Sequence, residues 1–235
     1  VVGEAVKRVH KNVETVLAKS GPVDGEWRLR EFKVLAGSGR TETLHKENGC
    51  LYYLDISRVY FSPRLSHERA RVASQVKEGE VVVDMFAGVG PFSILIARRL
   101  RDVKVHAIDV NPDAIRYLER NIDANRVRQK VSTYLGDTTQ VVHGRLTGVA
   151  DRVIMNLPEK ALQYLGSACG TLKPTGGMIH YYEFTPESDD FSGVQTRVRE
   201  EVARHGRRVE EFSQSKRIRP TAPHEWQIVL DARVR

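Results

Sequence analysis

The sequence predicts an α/β protein: a mostly parallel, doubly wound sheet with an antiparallel edge hairpin, preceded by a small α+β module. Three observations carry that expectation. From Ser66 onward, short β-branched runs alternate with helical stretches of ten or more residues, the rhythm of a parallel sheet with crossover helices. Acidic residues stand at the ends of three successive strands, where open α/β sheets hold their ligands. The last two strands have no helix between them and so pair as a hairpin.

Residues 1–57 read as the small module. A helix is expected over Ala5 to Leu17, because Val6, Val9, Val13, Val16 and Leu17 recur at three- and four-residue spacing. Ser20-Gly21-Pro22 breaks it, and Asp24-Gly25 signals a turn. Three strands follow at Trp27 to Leu35, Glu42 to His45 and Cys50 to Ile56, joined by hairpin loops at Gly37-Ser38-Gly39 and Glu47-Asn48-Gly49. Residues 58–235 form the larger domain. Ser66 is placed to cap a helix running to Val76. Strand Val81 to Met85 leads through Ala87-Gly88-Val89-Gly90 into a helix from Phe92 to Leu100, with Pro91 suited to its first turn. Then come strand Val103 to Ile108, helix Pro112 to Asn125, and strands Val131 to Leu135 and Arg152 to Asn156. Helix Ala161 to Leu172 ends at the turn Lys173-Pro174-Thr175-Gly176-Gly177. Strand Met178 to Glu183, helix Val194 to His205 and strands Val209 to Ser215 and Glu225 to Ala232 close the chain.

Composition narrows the function. With 40% hydrophobic and 29% charged residues over 235 positions, the chain can bury a sizeable core, which excludes disorder and coiled coil. Its apolar runs are strand-sized, so no membrane span is expected. Cys50 and Cys169 cannot build a disulfide framework or a zinc site unaided; a reducing, cytoplasmic setting and no metal are expected. The opening Val-Val-Gly has no charged-then-apolar leader, so a signal peptide is not expected. A net charge of +7 suits a polyanionic partner, and equally a solvated surface with a cationic bias.

The first strand-to-helix turn reads Asp84-Met85-Phe86-Ala87-Gly88-Val89-Gly90-Pro91-Phe92. Ser93 stands where a nicotinamide-binding turn would want its third glycine, and Asp84 would repel a pyrophosphate. The same acid could accept from an amino acid's ammonium. Twenty-five residues on, Asp109 is placed for ribose hydroxyls, or simply to cap the helix behind Asn111-Pro112. A third strand ends in Gly136-Asp137-Thr138, where a carboxylate can accept from an adenine amine. Taken together, the three acids describe a nucleoside with an amino-acid tail, S-adenosylmethionine. A fourth strand ends in Asn156-Leu157-Pro158, whose asparagine can hold the amide-like edge of a nucleobase. Glu68 sits in the first turn of its helix, where a carboxylate ordinarily just complements the helix dipole.

VYFSPRLSHER, DMFAGVGPF, AIDVNP and IMNLP together resemble the archaeal and eukaryotic Trm5 family. The likeness runs from WRLREFKVLAG through HKENG to the closing APHEW. It implies a class I, Rossmann-like methyltransferase domain over 58–235. The implied reaction is methyl transfer from S-adenosylmethionine to N1 of the tRNA guanosine 3′ of the anticodon. By position, Glu68 then matches the family's general base, and Arg28 the arginine near guanine O6. Tyr60, Arg69, Phe86, Asp109, Val110, Asp137, Thr138 and Asn156 match cofactor contacts, beside the turn residues Asp84, Gly88 and Gly90. Asn156 and Pro158 fall where methyl donor and base meet, and Arg28, Arg30, Arg40 and Arg64 fall on the RNA side. The resemblance also implies a monomer that holds the anticodon stem-loop, and a separate N-terminal domain preceding the part of the family matched here. Wyosine-pathway relatives, which methylate a tricyclic precursor or move the cofactor's aminocarboxypropyl arm, stay open as alternatives. So does a tRNA-binding module without catalysis.

Overall fold

In the computed structural model, helix α1 (Val2–Val9) leads into an antiparallel hairpin of β1 (Thr15–Asp24) and β2 (Leu29–Gly37). The structure describes residues 1–235 apart from Glu26 and Arg28, with the backbone alone for Pro22, Val23, Asp24 and Arg30. The helix expected over Ala5 to Leu17 therefore stops eight residues early. Val13, Val16 and Leu17 fit a helical and a strand spacing alike, and cross-strand pairing of Val16 with Ala36 and Leu17 with Val34 selects the strand. Ser20-Gly21-Pro22 does not break an element either. It lies inside β1, where the pairing register shifts between Lys19 and Val23, an irregularity that tolerates a proline.

A second hairpin, β3 (Glu42–Glu47) and β4 (Cys50–Asp55), turns on Asn48 and Gly49, both at positive φ (49° and 74°). That is the two-residue turn whose twist suits paired strands. Cys50, Tyr52 and Leu54 alternate onto its buried face and join the core of the larger domain.

The larger domain then follows as α2 (Ser66–Gln75), β5 (Val81–Asp84), α3 (Pro91–Arg99), β6 (Lys104–Asp109), α4 (Pro112–Ala124) and β7 (Val131–Leu135). After it come α5 (Thr138–Val141), β8 (Arg152–Met155), α6 (Leu165–Thr171), β9 (Gly177–Pro186), α7 (Ser192–Arg204), β10 (Val209–Ala222) and β11 (Glu225–Val234). Ser66 is not the cap of α2. A 3-10 turn over Pro63–Leu65 puts Leu65 at the cap, and the Ser66 hydroxyl accepts instead from Asn48 Nδ2 at 3.3 Å. The short α5, continued by a π-helical turn over Val142–Leu146, was not expected from the sequence.

Seven strands form one sheet in the order β10-β11-β9-β8-β5-β6-β7. The run from β7 to β9 is parallel and β10 and β11 pair as an antiparallel edge hairpin, as the sequence predicts; that β11 inserts between β9 and β10 was not expected. The chain reverses its march across the sheet at β5, so the carboxyl ends of β5, β6, β7 and β8 share one mouth. Core side chains fill both faces of the sheet: Val82, Ile94, Leu118 and Tyr52 in one cluster, Val83, Ile108, Met155 and Val198 in the other. Among the described residues, no helix is long and apolar enough to cross a membrane.

Side chains of α4 pin the β3–β4 hairpin to this body. Fully buried Asn121 accepts from Tyr53 N at 2.7 Å and donates to the Tyr53 and Val89 carbonyls at 3.0 and 3.1 Å. Asn125 does the same for Leu51, accepting at 2.9 Å and donating at 2.7 Å. Asn121→Ala strands several buried backbone groups, each costing about 1–3 kcal/mol. Chemical unfolding should show a loss of at least about 2 kcal/mol; a change within the ~0.5 kcal/mol of a neutral surface substitution would contradict this anchoring role.

Candidate active site

Strand β5 ends in Asp84, which is fully buried. Its Oδ2 accepts from Ser93 Oγ at 2.8 Å, while Oδ1 is buried with no hydrogen-bond partner among the described residues. Burial pushes this carboxyl up to about 7; the Ser93 hydrogen bond opposes that rise and the charge of Asp109 adds to it. Beyond Asp84 the chain turns through Gly88 and Gly90, both at positive φ (55° and 85°). Their reasons differ. Among the described residues a Cβ on Gly88 would meet only the Tyr60 carbonyl, at 3.8 Å, so backbone shape and an open approach ask for glycine there. A Cβ on Gly90 would fall 2.3 Å from Leu118 Cδ1, so Gly90 serves the packing of α3 on α4 and does not line the pocket, contrary to expectation.

Asp109 closes β6. Its Oδ2 accepts from Gly88 N at 2.7 Å and its Oδ1 from Asn111 N at 2.9 Å. Burial raises its pKa, against the pull of these backbone N–H groups. Asp137, after β7, caps α5 by accepting from Gln140 N at 3.1 Å. Thr138 donates its hydroxyl proton to the Met85 carbonyl at 2.6 Å, tying α5 to the end of β5. Past β8 the chain bends at once, Leu157 N donating to Met155 O at 2.9 Å, and Asn156 Oδ1 accepts from Gln227 Nε2 at 3.1 Å.

These ends open onto one pocket. Tyr60, Phe86, Gly88, Asp109, Val110, Asp137, Thr138 and Asn156, all expected from the sequence, line it together. Sequence reasoning missed Asn111, Ala114, Leu157, Glu159, Lys160 and Tyr164, and also Gly25 and Trp27 from the β1–β2 turn. The Tyr164 ring meets Phe86 edge-on at 5.0 Å, giving the pocket an aromatic corner. Its only sequence signal was position, a few residues after Asn156-Leu157-Pro158.

Other expected residues lie elsewhere. Arg69 is corrected: it is 2% exposed, with Nη1 donating to both Glu47 carboxylate oxygens at 2.8 Å and Nη2 to the Ser62 carbonyl at 2.8 Å. A guanidinium so committed joins the β3–β4 hairpin to α2 and does not reach the pocket. Asp84 and Pro158 are buried and are not among the residues that line the pocket. Glu68 is buried too: Arg71 donates Nε to its Oε2 at 2.7 Å and Nη2 to its Oε1 at 2.6 Å, and the Tyr182 hydroxyl donates to Oε1 at 2.6 Å. Arg64 and Arg40 are exposed, Arg40 beside the groove between β1 and β3. Arg28 lies outside the described residues, as does the side chain of Arg30.

Strand order and the row of acids at one mouth define a class I methyltransferase fold. Residues 43–210 match the TRM5/TYW2 methyltransferase domain, and the chain belongs to that family. It is 46% identical over 233 residues to tRNA (guanine(37)-N(1))-methyltransferase Trm5b of Pyrococcus abyssi, covering 99% of this chain and 68% of that one. The crystal structure of that enzyme superposes with a TM-score of 0.87 over the same shares of the two chains. The chain is also 36% identical over 232 residues to a Methanocaldococcus jannaschii tRNA(Phe) (4-demethylwyosine(37)-C(7)) aminocarboxypropyltransferase, covering 99% of this chain and 90% of the relative. A crystal structure of M. jannaschii TYW2 in complex with AdoMet, 36% identical, superposes with a TM-score of 0.78 over 86% of this chain and 90% of that one.

The elevated Asp84 pKa has a pH signature. With the group near 7 when folded and 3.8 when unfolded, the native state holds a proton that the unfolded state has lost across that window. Stability should therefore fall as pH rises from about 4 to 7. Asp84→Asn should lack this component, so urea unfolding of the two proteins should diverge over the window in favour of the variant. A wild-type-to-variant difference that does not change with pH would contradict a proton held on Asp84.

Proposed function

We propose that this chain binds S-adenosylmethionine in the pocket and methylates N1 of guanosine 37 of tRNA, the nucleotide 3′ of the anticodon. The observation that supports this most is the meeting of Asp109, Asp137 and Asn156 at three strand ends of one mouth, with Asp84 buried at the end of β5. The pocket fits that ligand. Asp109 and Asp137 each use one lone pair per engaged oxygen and keep others for ribose hydroxyls and an adenine amine. Asp84 Oδ1, buried with no hydrogen-bond partner among the described residues, suits the cationic amino-acid end, whose charge would draw off the proton that burial holds there. When bound, the cofactor supplies an electrophilic methyl group.

The remaining chemistry falls to the chain. Neutral guanine carries a proton on N1, and removing it places charge on O6. Asn156, with Arg28, supplies donors for that oxygen; Glu68 takes the proton. Both Glu68 oxygens are engaged by Arg71 and Tyr182, so this role requires that Arg71 release the carboxylate when RNA enters. Base catalysis contributes about 10²–10⁴ in rate. Holding the reactants at attack distance is worth up to roughly 7–11 kcal/mol, so positioning by the pocket is the larger contribution. Residues 1–57 act as the RNA-side module, with Arg30 and Arg40, and residues 58–235 as the transfer domain, with Arg64 at its edge. The target base leaves its stack in the anticodon loop to reach Asn156. The enzyme works as a monomer in the cytoplasm.

Mass spectrometry of nucleosides tests this, using unmodified tRNA and cofactor labelled either in the methyl group or in the aminocarboxypropyl arm. Methyl label on N1 of guanosine is expected. Label arriving only from the arm would make the chain an aminocarboxypropyltransferase, and no transfer at all would leave a binding module. Glu68→Gln should slow single-turnover methylation by about 10²–10⁴ with S-adenosylhomocysteine affinity little changed. Methylation at the wild-type chemical rate would reassign the base.

A further inference from the structure

The two ends of an asparagine amide carry opposite information: Oδ1 accepts and Nδ2 donates. Whichever faces the pocket decides what Asn156 can hold there. Its Oδ1 is taken by Gln227 Nε2 at 3.1 Å. Gln227 lies on β11 and is 1% exposed, so both ends of its own amide need partners inside the protein. Its Oε1 accepts from Arg219 Nε at 2.8 Å, and strand register makes Arg219 its cross-strand partner on β10. Arginine has donors only. It therefore forces Gln227 to turn Oε1 toward it and Nε2 toward Asn156. Arg219 Nη2 also donates to Tyr60 Oη at 3.2 Å, fastening the relay to a second residue of the pocket wall.

We propose that Arg219 and Gln227 are positioning residues that hold Asn156 with its Nδ2 donor facing the substrate base, so that the site selects a carbonyl oxygen over an amino group. Guanine carries an oxygen at C6 where adenine carries an amine. A fixed donor pairs with the first and confronts the second with another donor, leaving both unpaired in a closed pocket. This inference rests on the proposed function, since it assigns that function's choice of base.

The test is Gln227→Glu. The variant keeps size, and its carboxylate still accepts from Arg219, but an oxygen now faces Asn156 Oδ1. Asn156 should flip, donating Nδ2 to Glu and presenting Oδ1 to the pocket. Single-turnover methylation of tRNA with guanosine at position 37 should fall at least about tenfold, with S-adenosylhomocysteine affinity and melting temperature unchanged. The preference for guanosine over adenosine at that position should shrink. In an Asn156→Ala background the same substitution should have little further effect, because it acts through Asn156. Gln227→Met, which removes the bond without forcing the flip, should fall less, and serves if the Glu variant does not fold. A wild-type rate in Gln227→Glu, or an equal fall with Asn156 absent, would overturn the proposal. If the wild-type protein methylates no guanosine, the functional reading fails. The relay is then judged by the Asn156 side-chain amide resonance, which must shift in Gln227→Glu; an unmoved resonance overturns it.

Discussion

One hydrogen bond organises the mouth of the sheet: Gly88 N–H to Asp109 Oδ2 at 2.7 Å. It joins the glycine turn after β5 to the end of β6, and through it the direction of Phe86 and the start of α3 are fixed to the neighbouring strand. Asp109 is held from the other side by Asn111 N–H, so its carboxylate is oriented before any ligand arrives. A buried carboxylate is costly when unpaired, and two backbone donors offset that cost while keeping lone pairs directed outward. Among the described residues Asp84 is left with one oxygen unpaired, and burial makes it hold its proton near neutrality. The site is thus pre-shaped but electrostatically incomplete, the condition in which a cationic, hydroxyl-bearing ligand adds most.

A second, mostly buried network runs through the larger domain. Glu68, Arg71, Asp231, His180, Arg152 and Glu80 are linked end to end, with contacts of 2.5 to 2.8 Å. Arg152 can only donate, so His180 Nε2 accepts from it and Nδ1–H donates to Asp231 Oδ1 at 2.6 Å. His180 is therefore neutral, in keeping with burial lowering its pKa. Burial also pulls the Asp231 carboxyl upward, but hydrogen bonds from His180 and Arg71 overcome it and hold the group below the usual range. Such a chain adds little net stability as a whole, yet breaking one member costs about 3–5 kcal/mol. It fixes α2 against β9 and β11. In doing so it keeps both Glu68 oxygens engaged, by Arg71 and by Tyr182.

The sheet, its antiparallel edge and the wall residues Gly88, Asp109, Asp137 and Asn156 were legible from local signatures: β-branched runs, a glycine turn, and an acid or Asn-Leu-Pro at a strand end; Tyr60, Phe86, Val110 and Thr138 were expected only through the family resemblance. What failed depended on partners distant in sequence. Val13 to Leu17 satisfy two periodicities, and only β2 decides between them. Arg69 matches a family position, but Glu47, 22 residues earlier, claims its guanidinium. Gly90 looked like ligand chemistry and proved to be room for Leu118. Gln227 gave no signal at all, since its meaning comes from Arg219 across a hairpin and Asn156 across the sheet.

A crystal structure with S-adenosylhomocysteine and an anticodon stem-loop bearing guanosine at position 37 tests the whole arrangement most directly. Ribose hydroxyls should lie on Asp109, adenine beside Asp137, and the flipped guanine with O6 toward Asn156 Nδ2 and N1 toward a Glu68 released from Arg71. A nucleoside bound away from Asp109, or a guanine pocket reached by neither Asn156 nor Glu68, would contradict the assignment.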